Sequence, residues 1–242
     1  MVGALPEFSI IVPTFNEEKL IGRCLQSLAL QDTDCSYEVI VADSHSTDST
    51  VDIAEKYADK VVLCPRGIAV GRNAGAKAAK GKHLIFIDGD SVASKRLVAA
   101  YHDAFADKDC IAATGPILPL ERLRGHENLL VSTGAKLYTR KWMKLLLLLG
   151  KPAFIGSNSA FRRDRFFEVG GFNEKLVTFE DGDLSMRLVG KGKFAFHNDA
   201  VVYTSVRRLK KWGYIKFVGF HASNTLRYEL FGRPHSHYEE VR

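Results

Sequence analysis

Hydrophobic and polar positions alternate between two periods along the first ninety residues. Ser9–Val12 is a short apolar run rich in β-branched residues and closed by Pro13, the pattern of a buried strand. From Glu17 to Ala29 the apolar residues Leu20, Ile21, Cys24, Leu25 and Leu28 recur at helical spacing. Glu38–Ala42 predicts a second strand. Ser46, Thr47 and Asp48 then offer caps for a helix running through Ile53 and Tyr57. Val61–Leu63 predicts a third strand, Ala69 to Ala79 a helix ended by Gly81, and Leu84–Ile87 a fourth strand. Strand and helix alternating four times argue for a parallel, doubly wound sheet. Beyond Asp90 the pattern loosens. It predicts a helix over Leu97–Phe105, a strand over Cys110–Ile117, largely helical chain over Gly125–Leu149, a mixed segment over Phe154–Phe161, a helix over Glu180–Val189 and short strands within Lys193–Tyr203.

Ligands of such sheets bind beyond the carboxyl ends of the strands. Polar clusters follow three of the four strands directly: Thr14–Glu18, Asp43–Asp48 and Asp88–Asp90. All three are expected along one edge. In Asp88-Gly89-Asp90 two carboxylates sit one residue apart at a strand end. Extended backbone would point both to the same side, where they suit a hard divalent cation, Mn2+ or Mg2+, that shares its shell with phosphate oxygens. The plainer account is a turn, since Asp-Gly is common in turns. In Pro13-Thr14-Phe15-Asn16-Glu17, Thr14 and Asn16 can bond a base or ribose, or simply cap the helix that follows. Asp43 stands where a carboxylate can accept a base proton, and His45 reads as an exposed loop residue. Arg72, in Gly71-Arg72-Asn73-Ala74-Gly75, can clamp a diphosphate or be an ordinary surface arginine. Three acids open the late helix at Glu180, Asp181 and Asp183. The helix dipole favours acids there, and Asp181 is the candidate base for an acceptor hydroxyl.

Composition changes this picture little. The 242 residues carry 34 basic and 28 acidic side chains, a net charge of +6 that suits an anionic partner. The four cysteines, Cys24, Cys35, Cys64 and Cys110, form no metal-ligand spacing and read as small core residues. No zinc finger or RNA-binding aromatic motif supports a nucleic-acid partner. No signal-peptide pattern opens the chain and no apolar run reaches bilayer-spanning length; the longest aliphatic run is Leu145–Leu149. The expectation is a cytoplasmic protein.

In order, Pro13-Thr14-x-Asn16-Glu17, Asp43 with Ser46-Thr47-Asp48, Arg72-Asn73-x-Gly75, Asp88-x-Asp90, Gly156-Ser157-Asn158, Gly170-Gly171-Phe172 and Glu180-Asp181 resemble glycosyltransferase family 2 from about Phe8 to Arg208. The resemblance implies an α/β fold of the GT-A type, a Rossmann-like, mostly parallel sheet with flanking helices. It implies a metal-assisted, inverting transfer of a sugar from a UDP- or GDP-linked donor to a hydroxyl or phosphate acceptor on a glycan or polyprenyl lipid. By it, Thr14, Glu17 and Asp43 hold the nucleoside, with Pro13 and Asn16 beside them. Arg72, Asp88 and Gly89 face ribose and diphosphate, and Asp90 with Asp88 holds the metal. Asp181 is the base, and Gly156, Ser157, Asn158 and Glu180 line the acceptor side. Two features depart from the family pattern. Asp43 is followed by Ser44 rather than a second acid, and Val201-Val202-Tyr203 leads to Thr204-Ser205-Val206-Arg207-Arg208 rather than to a histidine. The two arginines are then expected at the diphosphate.

Two other readings use the same acids. A nucleotidyltransferase also needs paired acids and a metal, but the glycine-rich basic loop expected near its start is absent. A non-catalytic nucleotide-sugar-binding protein would tolerate loss of a key acid, yet Asp43, Asp88, Asp90 and Asp181 are all present. Both tryptophans lie in basic aromatic stretches, 138–149 and 207–217. Such stretches suit peripheral contact with an anionic membrane at its cytoplasmic face, or ordinary packing with solvated lysines. The domain expectation is 1–206 for the catalytic unit and 207–242 for a helical, membrane-associated appendage.

Overall fold

The computed structural model describes residues 5–121, 141, 145, 154, 156–239 and 241. Strand β1 (Phe8–Thr14) is buried at every position, which requires cover on both faces. Alternate residues serve opposite faces. Phe8, Ile10 and Val12 pack in one hydrophobic cluster with Val39, Val41 and Ile85, while Ile11 joins a second with Ile40, Leu84 and Phe86. Helix α1 (Ile21–Ala29) buries Ile21, Cys24, Leu25 and Leu28 against the first cluster, as its spacing predicts.

The chain continues through β2 (Tyr37–Asp43), α2 (Thr50–Ala54), β3 (Lys60–Leu63), α3 (Ile68–Ala78) and β4 (His83–Phe86). After β4 come β5 (Ser91–Ala93), α4 (Leu97–Phe105), β6 (Cys110–Thr114), β7 (Ile117–Pro119), β8 (Ser159–Arg162), α5 (Arg163–Glu168), α6 (Glu180–Leu188), β9 (Lys193–Phe196), β10 (Val202–Thr204), α7 (Arg207–Trp212) and α8 (Tyr214–Phe231). The main sheet has seven strands in the order β3-β2-β1-β4-β8-β6-β9. It is parallel except for β8, which runs antiparallel to both β4 and β6. A second sheet, β5-β10-β7, lies beside it.

The mostly parallel α/β architecture agrees with the sequence reading; several boundaries do not. The helix expected from Glu17 begins at Ile21, and the one expected from Ser46 is a short piece over Thr50–Ala54. The strand expected over Cys110–Ile117 splits at Gly115 and Pro116, with β7 moving to the second sheet. At that break a Cβ on Gly115 would collide with the Ala200 carbonyl oxygen, so only glycine fits where the chain changes direction. The helical expectation over 125–149 lies outside the described residues, positions 141 and 145 apart. Cys24, Cys64 and Cys110 are free and buried, and Cys35 is free and half-buried.

Close approach of α3 to β1 depends on Gly75, whose absent side chain leaves room for Ile11. Asn73 on the same helix receives Phe172 N–H at Oδ1 (3.0 Å) and donates from Nδ2 to Phe172 O (2.8 Å). That pair of bonds fixes the 170–172 turn, in which Gly170 and Gly171 take positive φ.

Candidate active site

The strand order β2-β1-β4 brings the three predicted polar clusters to one edge. Thr14 and Asp43 are direct register partners at the ends of β1 and β2. Thr14 Oγ1 donates to Asp43 Oδ2 (2.9 Å), and Ser46 adds its backbone N–H (2.8 Å) and hydroxyl (2.6 Å) to the same carboxylate. Asp43 is fully buried. In this structure it locks two loops together rather than opening onto a ligand.

Asn16 completes the lock. Its Oδ1 accepts from Thr47 N (2.8 Å), its own N–H donates to Ser46 Oγ (2.8 Å), and its φ is +52°. Asparagine tolerates that left-handed backbone better than most residues. The capping account of Thr14 and Asn16 is therefore corrected. The cap position of α1 is Leu20, with no side-chain cap bond. Loop-to-loop bonding takes those side chains instead.

Asp88 and Asp90 flank a turn, closed by Ser91 N–H donating to Asp88 O (3.0 Å). This corrects the expectation of an extended i, i+2 pair. Gly89 passes against Thr14 and Ile21, where a Cβ would meet Thr14 Cγ2 at 3.0 Å. The two carboxylates go to different cations. Asp88 Oδ1 accepts from Arg72 Nη2 (2.9 Å), and Asp90 Oδ2 lies 3.1 Å from Arg207 Nη2. Arg207 also grips both oxygens of Glu17, at 2.5 and 2.7 Å. Ser91 and Thr204 hydroxyls approach Asp90 Oδ1 at 3.4 Å. Burial and the neighbouring Asp88 carboxylate hold the Asp90 carboxyl above its ordinary range, against the pull of Arg207.

Arg72 is no surface arginine. It is 3% exposed and ties Asp88 to Glu180 Oε1 (2.5 Å), joining the donor-side turn to the start of α6. Its Nε has no hydrogen-bond partner. A Cβ on Gly156 would fall inside the guanidinium, so glycine at 156 is what lets Arg72 lie there. Burial, then Asp181, push the Glu180 carboxyl up, and Arg72 opposes them.

Within the acidic run at the start of α6, each carboxylate has a distinct environment. Glu180 is paired with Arg72. Asp183 is paired with Arg187 (2.6 Å) and accepts from the Tyr228 hydroxyl. Asp181 has no cation against it among the described residues. Its two oxygens instead accept backbone N–H bonds from Gly156 (3.0 Å) and Gly182 (2.8 Å). The residue before the helix, Phe179, has φ +64°. Such backbone in a bulky residue is strained, and it sets the angle at which Asp181 leaves the helix start.

Two expected site residues lie elsewhere. Asn158 is fully buried, with Oδ1 accepting from Tyr101 (2.5 Å) and Nδ2 donating to Pro116 O and Ala200 O. Its amide is committed to the fold, not to the acceptor side. Arg208 points at the C-terminal segment, donating to Tyr238 Oη (2.6 Å) and Glu239 O (3.2 Å), not toward Asp88 or Asp90. Ser157 is buried beside Gly156. Pro13 sits beneath α3, where a Cβ on Gly71 would meet it at 3.3 Å. Residues 224 and 235, beyond any expected site, hold Thr178 in place: its hydroxyl lies 3.1 Å from Asn224 Oδ1 and 3.0 Å from His235 O. No local pattern signals these contacts; they join segments 46 and 57 positions apart.

Glu17, Asp88 and Asp90 offer hard oxygen donors, crowded enough that the structure sets arginines against all three. That chemistry fits a divalent cation that shares phosphate oxygens. Among the described residues, the set of three metal-type side chains whose ligand atoms converge lies elsewhere, at Glu7, Cys35 and His102. Those are half-buried or exposed and mix soft with hard donors.

The Glycosyl transferase family 2 profile matches residues 9–169. The chain belongs to glycosyl transferase family 2. It is 40% identical over 97 residues to the Staphylococcus aureus poly(ribitol-phosphate) beta-N-acetylglucosaminyltransferase TarS, covering 37% of this chain and 17% of that protein. It is 37% identical over 113 residues to the uncharacterised glycosyltransferase YfnE of Bacillus subtilis, covering 44% and 29%. The matches thus span under a third of either relative. Among solved structures, the Pyrobaculum calidifontis mannosyltransferase PcManGT with GDP-Man and Mn2+ superposes with TM-score 0.67 at 23% identity, over 92% of this chain and 62% of that one. TarS 1-349 with UDP-GlcNAc gives 0.62 at 24%, over 82% and 58%. The fold of this family 2 chain is the GT-A fold.

Proposed function

We propose that this chain transfers a sugar from a nucleoside-diphosphate donor to an acceptor hydroxyl or phosphate with inversion at the anomeric carbon, Asp181 being the base. The observation that carries the reading is the contrast within Glu180–Asp183. Two of its three acids are neutralised by arginine, while Asp181 is oriented by two backbone N–H groups and has no cation against it among the described residues. A carboxylate so held can take a proton from an attacking hydroxyl.

Asp88 and Asp90 would hold a divalent cation, Mn2+ or Mg2+, whose positive charge stabilises the leaving diphosphate. Arg72 keeps Asp88 and the start of α6 at a fixed separation, so donor acids and base move as one body. The Thr14–Asn16–Asp43–Ser46 lock shapes the loops against which the nucleoside would rest. Glu17 lies at their rim, paired with Arg207; a diphosphate entering there would compete for that guanidinium. Gly156 would face the acceptor through its N–H bond to Asp181.

The similarity to TarS favours a UDP-linked sugar as the first donor to test. The beta linkage in that relative's name is what a single displacement on an α-linked donor yields. Binding and slow hydrolysis of a UDP- and GDP-sugar panel, with Mn2+, Mg2+ or chelator, tests the reading. Wild type is expected to bind one donor saturably and only with metal, and Asp90→Ala to lose that binding. Asp181→Asn is expected to keep donor affinity within about twofold while turnover falls by roughly 10²–10⁴. Normal turnover by Asp181→Asn with weakened donor binding overturns the base assignment.

A further inference from the structure

Helix α8 presents its apolar side to solvent. Of its eighteen residues Asn224 alone is buried. The inward face is polar and aromatic: Phe220 packs on Trp212 (5.2 Å) and His235 (4.8 Å), Asn224 meets Thr178, and Tyr228 meets Phe179 (4.8 Å) and Asp183. The outward face carries Ile215, Val218, Gly219, Ala222, Leu226 and Leu230 at helical spacing, all of them exposed. Ile215 is 88% exposed, Leu226 56% and Leu230 64%. At 1.5 Å per residue this stripe runs about 23 Å. Glu229 is the acid within it.

Exposed cations accompany the stripe. Lys216 and Arg227 stand eleven residues apart, close to three whole turns, and so share one border. Lys210 on α7 and Arg233 past the end of α8 are exposed as well, while Lys211 is paired with Glu239 (2.7 Å). Tyr214 and Trp212 mark the start of the helix with amphipathic rings. A soluble domain seldom leaves so continuous an apolar face open.

We infer that α8 lies flat on an anionic lipid surface, its apolar stripe at the acyl boundary and its lysines and arginines against headgroup phosphates. The charge decides between occupants. A protein partner would have to cover lysines, in which protein interfaces are depleted. A second copy would set like cations against each other. No helix among the described residues is long and apolar enough to cross a membrane, so the contact is peripheral. The inward face joins the surface to the proposed site, because Thr178 and Asp183 bracket Asp181 and both are held by α8. Docking of α8 is independent of glycosyl transfer; that the acceptor is met at the bilayer rests on the function proposed above.

The test is co-sedimentation of the full chain with vesicles of phosphatidylcholine alone and of equal parts phosphatidylcholine and phosphatidylglycerol. Wild type is expected to bind the anionic vesicles, less so in high salt. The double variant Ile215→Glu, Leu226→Glu is expected to lose about tenfold or more in affinity. Lys210→Ser and Lys216→Ser are each expected to cost roughly fivefold in affinity. All of these positions are exposed, so folding is expected to survive, as a thermal melt would show. UDP-sugar affinity should be unchanged in every variant, so vesicle binding without donor binding upholds this surface while removing the proposed function. Absence of wild-type binding to anionic vesicles, equal binding by the glutamate variant, or a wild-type dimer that the glutamate variant splits overturns the inference.

Discussion

At the scale of single residues, buried charge decides most. Arg72 is held between Asp88 and Glu180 with almost no exposure. Removing one partner of a buried ion pair is costly because the other charge stays behind. Arg72→Met is therefore expected to destabilise the fold by about 3–5 kcal/mol, read by denaturant unfolding, and to abolish turnover. A variant as stable as wild type would mean that the acids find water or another cation. His83 poses the opposite problem. Its ring stacks on Phe105 at 4.3 Å, and neither ring nitrogen has a hydrogen-bond partner among the described residues. Burial, then Arg162 and Lys82, lower its pKa to about 4. The folded protein favours neutral His83, whereas the unfolded chain takes up the proton near the ordinary value. Stability should be unaffected above about pH 6.5 and fall as pH drops toward 4, by a total of about 3 kcal/mol. His83→Phe is expected to remove that part of the pH dependence, measured as unfolding free energy across the window. An unchanged slope would place the acid sensitivity elsewhere.

At the scale of elements, the start of α6 carries the strain. Phe179 takes a left-handed backbone and its ring folds back over the helix. A Cβ on Gly182 would fall inside that ring, which Tyr228 already packs against. Gly182→Ala is expected to push Phe179 aside and misalign Asp181. Turnover should fall about 10²-fold, the loss that small misplacements cause, with donor affinity kept within about twofold. Loss of donor binding instead would show that the strain serves the donor side. The helix is readable from Glu180 onward because three acids in a first turn are a start signal. The strained residue just before it is not readable, since nothing local requires a phenylalanine at positive φ. Its ring packs on Tyr228 of α8, a residue from a distant part of the chain.

At the scale of the whole molecule, the site is closed by contacts between distant segments. Arg207 reaches Glu17 across 190 positions, and Asn158 sews β6, β8 and the approach to β10 together. Asn158→Ala would take from the buried Tyr101 hydroxyl and Ala200 carbonyl the bonds they make to the amide, while Pro116 O keeps the N–H of Val202 (3.0 Å). It is expected to cost more than about 2 kcal/mol, measured by thermal unfolding, and to affect activity only through stability. A stable but inactive variant would return Asn158 to the acceptor side.

What the sequence determined by itself is the order of elements and the edge on which the chemistry lies. Short continuous apolar runs make strands covered on both faces, and in a parallel sheet polar residues just past successive strands must share one edge; Thr14, Asp43 and Asp88 follow from that alone. Which acid pairs with which cation was decided only in three dimensions. Arg72 could have been solvated, Asp43 could have faced a base, and Arg208 could have joined Arg207, for nothing within a few residues of any of them distinguishes these fates. Partner choice is set by burial and by chain segments far apart in sequence, and those exist only once the fold has closed.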